Sequence, residues 1–255
     1  MAYCRDIVSF LEQAAPPELA EDWDNIGLLV GSPSNTVKKI LVCLDITHAA
    51  IDEAVKTGAD LIVTHHPVIF KGIKKLNEDE KTAGLLYLLI RNNISVYSAH
   101  TNLDFAEQGV NTCLADALGL KQTEMLGNGP GKVGILENEC NLPEFIARVK
   151  TNLCVPFVRV TGRADSGIMK AAVFSGSFDG DLRAVAASGA DVLVTGDLKY
   201  HTALDAREMG MCIVDAGHFS TEKIALPRLA EAIQKGFSDI EVSCFSDEKD
   251  PLITT

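Results

Sequence analysis

The chain has 255 residues, 47% of them hydrophobic, which is enough for a substantial core in one large domain or two small ones. Its formal net charge of −12 argues against a dedicated nucleic-acid binder, because phosphate backbones are held mainly by Lys and Arg. Seven cysteines without a Cys-x-x-Cys pair fit a reducing compartment, so the cytoplasm is the natural expectation; Asp6, Glu12 and Glu18 interrupt any signal-peptide core, and no stretch approaches the roughly 20 apolar residues of a membrane span.

In chain order, an amphipathic period predicts a first helix over 3–15, ended by Pro16 and Pro17. A Gly-containing turn region follows at 21–31. Strands are predicted at 40–44, 60–64 and 94–98, with helices at 48–57, 81–92 and 109–118 between and after them. Lys71, Lys74 and Lys75 form a local basic run, read as a solvated loop face in preference to a binding patch. The stretch 121–170 is the least regular, and Gly127, Gly129, Pro130 and Gly131 place the boundary there, giving halves 1–125 and 126–255. Within it, 132–137 and 155–160 read as strands and 143–151 as a helix. Strands at 171–174, 191–195 and 211–215 then alternate with helices at 180–188 and 202–208. A long helix at 221–235 and a closing strand at 240–245 complete the pattern. Such alternation means an α/β fold, largely parallel within each half.

Residues 40–70 align without a gap on 171–201 at a constant offset of 131, including an identical Gly-Ala-Asp and a Val-Thr strand end. The fold is therefore expected to be two related α/β domains from an internal duplication. After the Val-Thr, the first copy places His65 and His66, the second Gly196 and Asp197. Further on each copy has a His with an acid four residues later: His100 with Asp104, and His218 with Glu222.

Ligands in such folds converge at the carboxyl ends of the strands, where these residues fall. Imidazole and carboxylate are donors that Zn, Mn and Fe accept in catalytic sites. Side chains of adjacent residues at a strand end diverge, so His65 and His66 suit two ions rather than one. Asp197 and His201 are open between contacts behind the site or to substrate and simple loop polarity, and His48 is structural or exposed. Trp23-Asp24-Asn25 either lines the pocket or packs under a turn through local backbone bonds. Cys43 and Cys212, inside apolar strands, read as core.

Together EDWDNIGLLVG, LDIT, GADLIVTHHPVIF, YSAHTNLDFAEQGVN, VTGDLKYHTALDA and DAGHFSTE resemble the GTP cyclohydrolase I type 2 homologue, or NIF-three-like, family, in its compact form without an inserted middle domain. The resemblance implies two related α/β domains with a dinuclear metal centre between them and a toroidal homo-hexamer. It assigns His65, His66, Asp104, His218 and Glu222 as ligands of two divalent ions, with Glu222 bridging, His65 paired with His218 and His66 with Asp104. His100 stands beside them as the acid or base. The family name asserts GTP ring opening, yet the chain carries no Walker-type phosphate loop and no guanine-specific signature. The expected function is a metal-dependent hydrolase of a small polar or nucleotide-like substrate, with a non-catalytic metal-storage, metal-delivery or adaptor protein as the alternative.

Overall fold

The computed structural model describes residues 1–163 and 167–253. Two compact units emerge: residues 1–106 with 226–249, and 107–225 with 250–255. The first holds β1 (Ala2–Tyr3), α1 (Cys4–Ala14), β2 (Gly27–Val30), β3 (Thr36–Val37), β4 (Lys39–Cys43), α2 (His48–Thr57), β5 (Leu61–Thr64), α3 (Lys81–Arg91), β6 (Ser95–Ser98) and α4 (Thr101–Phe105). The second holds α5 (Val110–Ala117), β7 (Lys121–Met125), β8 (Lys132–Asn141), α6 (Leu142–Asn152), β9 (Arg159–Thr161), β10 (Gly167–Ser177), α7 (Leu182–Ala187), β11 (Val192–Gly196), α8 (Tyr200–Glu208), β12 (Cys212–Asp215) and α9 (His218–Lys223). The chain then returns to the first unit with α10 (Leu226–Gly236) and β13 (Glu241–Cys244).

The sheet of the first unit runs β13-β4-β5-β6-β2, parallel except for β2 at its edge. The sheet of the second runs β7-β8-β10-β11-β12-β9, with β10, β11 and β12 parallel and the outer strands antiparallel. The inner parallel strands β4, β5, β6, β11 and β12 are buried along nearly all their length, as strands covered on both faces must be, whereas β13 at the edge of the first sheet is largely exposed. On the second sheet Ala171, Val173, Val192 and Val194 feed one core cluster and Ala172, Phe174, Leu193 and Ile213 another, the alternation of a sheet with two apolar faces.

The duplication survives at atomic detail. Ile40 pairs with Leu61 and Ala171 with Val192, each pair 131 residues from its counterpart. The repeated Gly-Ala-Asp explains itself. Gly58 and Gly189 both take φ 72°, the left-handed turn that ends α2 and α7 and that favours glycine. Asp60 then accepts hydrogen bonds from the backbone of Lys38 and Lys39 at 2.7 and 3.0 Å, and Asp191 from Met169 and Lys170 at 2.9 and 2.8 Å. Each carboxylate thus ties the entry to one strand to its neighbour at the point where their parallel pairing begins. The third strands shift the offset: Leu61 pairs with Ser95 and Val192 with Cys212, so the numbering differs by 212 − 95 = 117. The first unit therefore has 14 residues more between its second and third strands, from 131 − 117, most of them in the loop before α3.

Several elements depart from expectation. The single helix expected over 221–235 is two, α9 and α10, because Pro227 lacks a donor and its ring would strike the carbonyl four residues back. The strand expected at 155–160 is confined to β9, beyond Pro156. The stretch 121–170 is mostly regular: its glycines turn β7 back on β8, with the Leu126 amide donating to the Gly131 carbonyl at 2.8 Å. No helix among the described residues is long and apolar enough to cross a membrane.

Candidate metal centre

In the first unit β5 and β6 end side by side and deliver three imidazoles. His65 and His66 follow β5, and their amides continue the sheet by donating to Cys43 and Leu44 carbonyls at 3.3 and 2.9 Å. The Ser98 hydroxyl donates to the His65 carbonyl at 2.8 Å. His100 follows β6 and opens α4, whose Asp104 faces back. Ring centroids of His65, His66 and His100 lie 5.0, 5.1 and 5.5 Å apart pairwise, and one ligand nitrogen from each comes within 4.8 Å of the others.

Each imidazole is held by Nδ1. That of His65 donates to the Ala99 carbonyl at 2.9 Å, that of His66 to Asp45 at 3.0 Å and that of His100 to Asp24 at 2.8 Å. A carbonyl or an ionised carboxylate can only accept, so a proton sits on Nδ1 and, in the neutral ring, Nε2 carries the lone pair. This is the arrangement in which a metal-binding histidine is oriented by an oxygen behind it. The Asp104 carboxylate comes within 3.8 Å of His65 Nε2. Two donors about 2.1 Å from a tetrahedral ion stand about 3.4 Å apart, so the spacing suits a shared ion.

Asp24 is the hub of this wall. It accepts from His100, from the Thr101 amide at 3.0 Å and from the Thr101 hydroxyl. Burial alone would raise its carboxyl, but the bonds from His100 and Thr101 prevail and hold it at about 2. Burial lowers the His100 imidazole below its ordinary value, only partly offset by the bond to Asp24. Behind His66, the amides of Leu44 and Asp45 both donate to the buried Glu248 carboxylate at 2.9–3.0 Å, which fixes the strand exit carrying Asp45.

The second unit presents His218 and Glu222 on successive turns of α9. His218 Nδ1 donates to Asp197 at 2.9 Å, and its Nε2 lies 3.1 Å from Glu222 Oε2. An imidazole lone pair and a carboxylate oxygen that close repel unless a proton or a cation lies between them. Space for the acid comes from glycine: a Cβ on Gly176 would collide with Glu222 Oε1, and one on Gly196 would sit 2.5 Å from the His218 amide. Counted from the paired third strands, His100 corresponds to Gly217 (100 + 117), so the two His-acid pairs sit one residue out of step. Asp197, at the position of His66, holds His218 in place. His201 is exposed on α8 with its ring 5.3 Å from Tyr200, and His48 is exposed at the start of α2.

Residues 2–251 match the Duf34/NIF3 (NGG1p interacting factor 3) family. The chain belongs to that family. A GTP cyclohydrolase 1 type 2 homolog of Clostridium perfringens is 37% identical over 97% of both chains. The crystal structure of a Bacillus cereus protein related to NIF3 superposes with a TM-score of 0.95 at 27% identity, covering 100% of this chain and 99% of that one. Reduced HcgD from Methanocaldococcus jannaschii superposes at 0.82 with 33% identity, over 96% and 98%. The fold is thus that of the NIF3 proteins in its compact form.

For this Duf34/NIF3 chain, sequence patterns pointed to the imidazoles and missed most of what holds them. Neither Asp45 nor the Ala99 carbonyl stands out in the sequence, and for Asp24 the sequence leaves pocket lining and local turn packing open without pointing to its bond with His100. One signal was present: Asp45 leaves β4 at the level where His66 leaves β5, so a walk across strand exits would have found it.

Proposed function

We propose that His65, His66, Asp104, His218 and Glu222 hold two divalent ions, Zn, Fe or Mn, and that the protein is a hydrolase of a small polar, nucleotide-like substrate. The observation that carries this is the donor set: the imidazoles of His65, His66 and His218, each with Nδ1 bonded to an oxygen acceptor, and carboxylates 3.8 and 3.1 Å from the Nε2 atoms of His65 and His218. Bound ions would supply Lewis acidity and lower the pKa of water. Five protein ligands shared by two ions leave positions that catalytic sites keep open and structural sites close.

The chain's own chemistry centres on His100. Its depressed pKa keeps the ring neutral near pH 7, so Nε2 can accept a proton from water and return it to a leaving group. Asp24, ionised down to about pH 2, fixes the ring and stabilises the imidazolium formed in between. The family resemblance further supports a cytoplasmic homo-hexamer, for which light scattering is the test; a monomer at micromolar concentration speaks against it.

Elemental analysis of purified protein tests the metal assignment. Glu222→Gln lowers metal content well below that of His201→Ala, and equal content in the two variants would show that the site is misplaced. His100→Ala slows turnover roughly 10²- to 10⁴-fold while keeping its metals. A broad screen with Mn, Fe or Zn loaded that finds no turnover above the Glu222→Gln background would favour metal storage or delivery instead.

A further inference from the structure

Two large aromatic side chains beside His100 remain in solvent. Trp23 is 57% exposed and Phe70 51%. Their ring centroids lie 5.8 Å apart with planes inclined at 57°, and each stands edge-on to His100, at 6.1 and 6.3 Å. Burying either would have been favourable, so their exposure beside the imidazole cluster points to something that covers them.

The rings are also held in place. The turn bearing Trp23 is closed by the Asp24 amide donating to the Glu21 carbonyl at 2.9 Å, and anchored by the Glu21 amide on the Thr101 hydroxyl at 3.0 Å. Asp24 grips His100 from the same turn, and Asn25 Nδ2 donates to the Ile69 carbonyl at 2.5 Å. One tripeptide therefore fixes the indole, orients His100 and binds the backbone next to Phe70. Phe70 lies in the long loop before α3, where the first unit exceeds the second in length.

We propose that Trp23 and Phe70 form a stacking clamp for a flat heteroaromatic ring presented to His100. A ring lying on the indole face would stand inclined at 57° to the phenyl, between the stacked and edge-on arrangements, and pre-set walls lose little freedom on binding. The clamp rests on the hydrolase proposal and gives its substrate a chemical class, a heteroaromatic ring.

Trp23 is the only tryptophan in the chain, so indole fluorescence reports on the clamp alone. The protein, ion-loaded or chelator-treated, is titrated with purine, pyrimidine and pyridine nucleoside monophosphates, with ribose 5-phosphate as the probe lacking a ring. At least one ring probe quenches saturably and binds more tightly than ribose 5-phosphate. Phe70→Ala weakens it roughly 5- to 100-fold, the range for loss of one stacking partner. By calorimetry Trp23→Phe stays near the wild type, Trp23→Ala does not, and metal content is unchanged in all three variants. Equal affinity for ribose 5-phosphate, absence of quenching by every ring probe, or an indole signal that changes with protein concentration alone would each overturn the clamp, the last by assigning the rings to a second copy of the chain. Ring-dependent quenching in protein that takes up no ion on loading would sink the metal assignment and keep the clamp; ion-loaded protein without such quenching would sink the clamp alone.

Discussion

The two sheets share a register at their first two parallel strands and part at the strand ends. In the first unit the exit of β5 carries two imidazoles; in the second the equivalent exit of β11 is Gly196-Asp197. The carboxylate that orients a histidine has moved as well: Asp45, beyond β4, does for His66 what Asp197, beyond β11, does for His218. In the sequence alignment Asp45 falls on Gly176, which lies in the register irregularity of β10, and the space left by its missing Cβ is taken by Glu222. Duplicated scaffolds thus keep the bonds that build the sheet and exchange the side chains at its edge.

The sharpest way to break the comparison is Gly196→Ala. The first unit accommodates a full imidazole at this position, but here a Cβ would meet the His218 amide at 2.5 Å and the Gly176 carbonyl at 2.6 Å, both backbone atoms that cannot swing aside. We expect about 3 kcal/mol of destabilisation in urea unfolding, the upper range for overpacking. A variant as stable as the wild type would mean that the second unit tolerates what the first does.

Next come the carboxylates behind the histidines. Asp45→Ala and Asp197→Ala should each weaken ion binding roughly 10- to 100-fold, the usual consequence of removing the group that orients a ligating imidazole. Competition with a chromophoric chelator measures this, and the stability of the ion-free chain serves as control. If only one variant loses affinity, the two residues are not equivalent.

A pH effect separates the units too. Asp24 has its ordinary value of 3.8 lowered to about 2 on folding, so its contribution is complete above about pH 4 and is lost as pH falls towards 2. The shift corresponds to about 2 kcal/mol at most. Asp24→Asn should flatten that part of the stability profile. Parallel losses in variant and wild type would assign the acid sensitivity elsewhere.

How much could be read in advance followed from the range of the interaction. Apolar strands and the repeat were legible because burial imposes a local pattern, and His65, His66 and His100 stood out because they leave strand ends. Long-range partners were not: Glu248 reaches the amide of Leu44 across 204 residues, and Asp24 reaches His100 across 76. Nor does composition distinguish a glycine that turns a hairpin, such as Gly127, from one that makes room for a carboxylate, such as Gly176.

The smallest expected effect tests what the units have in common. Asp60 and Asp191 each accept two backbone amides, from Lys38 and Lys39 and from Met169 and Lys170, at 2.7–3.0 Å. Both lie at the edge of solvent, so water replaces part of what is lost, and each Asp→Ala substitution should cost about 1 kcal/mol rather than the full value of two charged bonds. Both should act by loosening the start of a parallel pair, Ile40 beside Leu61 in one unit and Ala171 beside Val192 in the other. Hydrogen exchange can therefore localise each loss: Asp60→Ala should speed exchange in β4 and β5 and leave β10 and β11 protected, and Asp191→Ala should do the reverse. Matching magnitudes with exchanged locations would show that the Gly-Ala-Asp motif persists for the same physical reason in both halves. A large loss from one variant and none from the other would mean that the halves, alike in register, are held together differently.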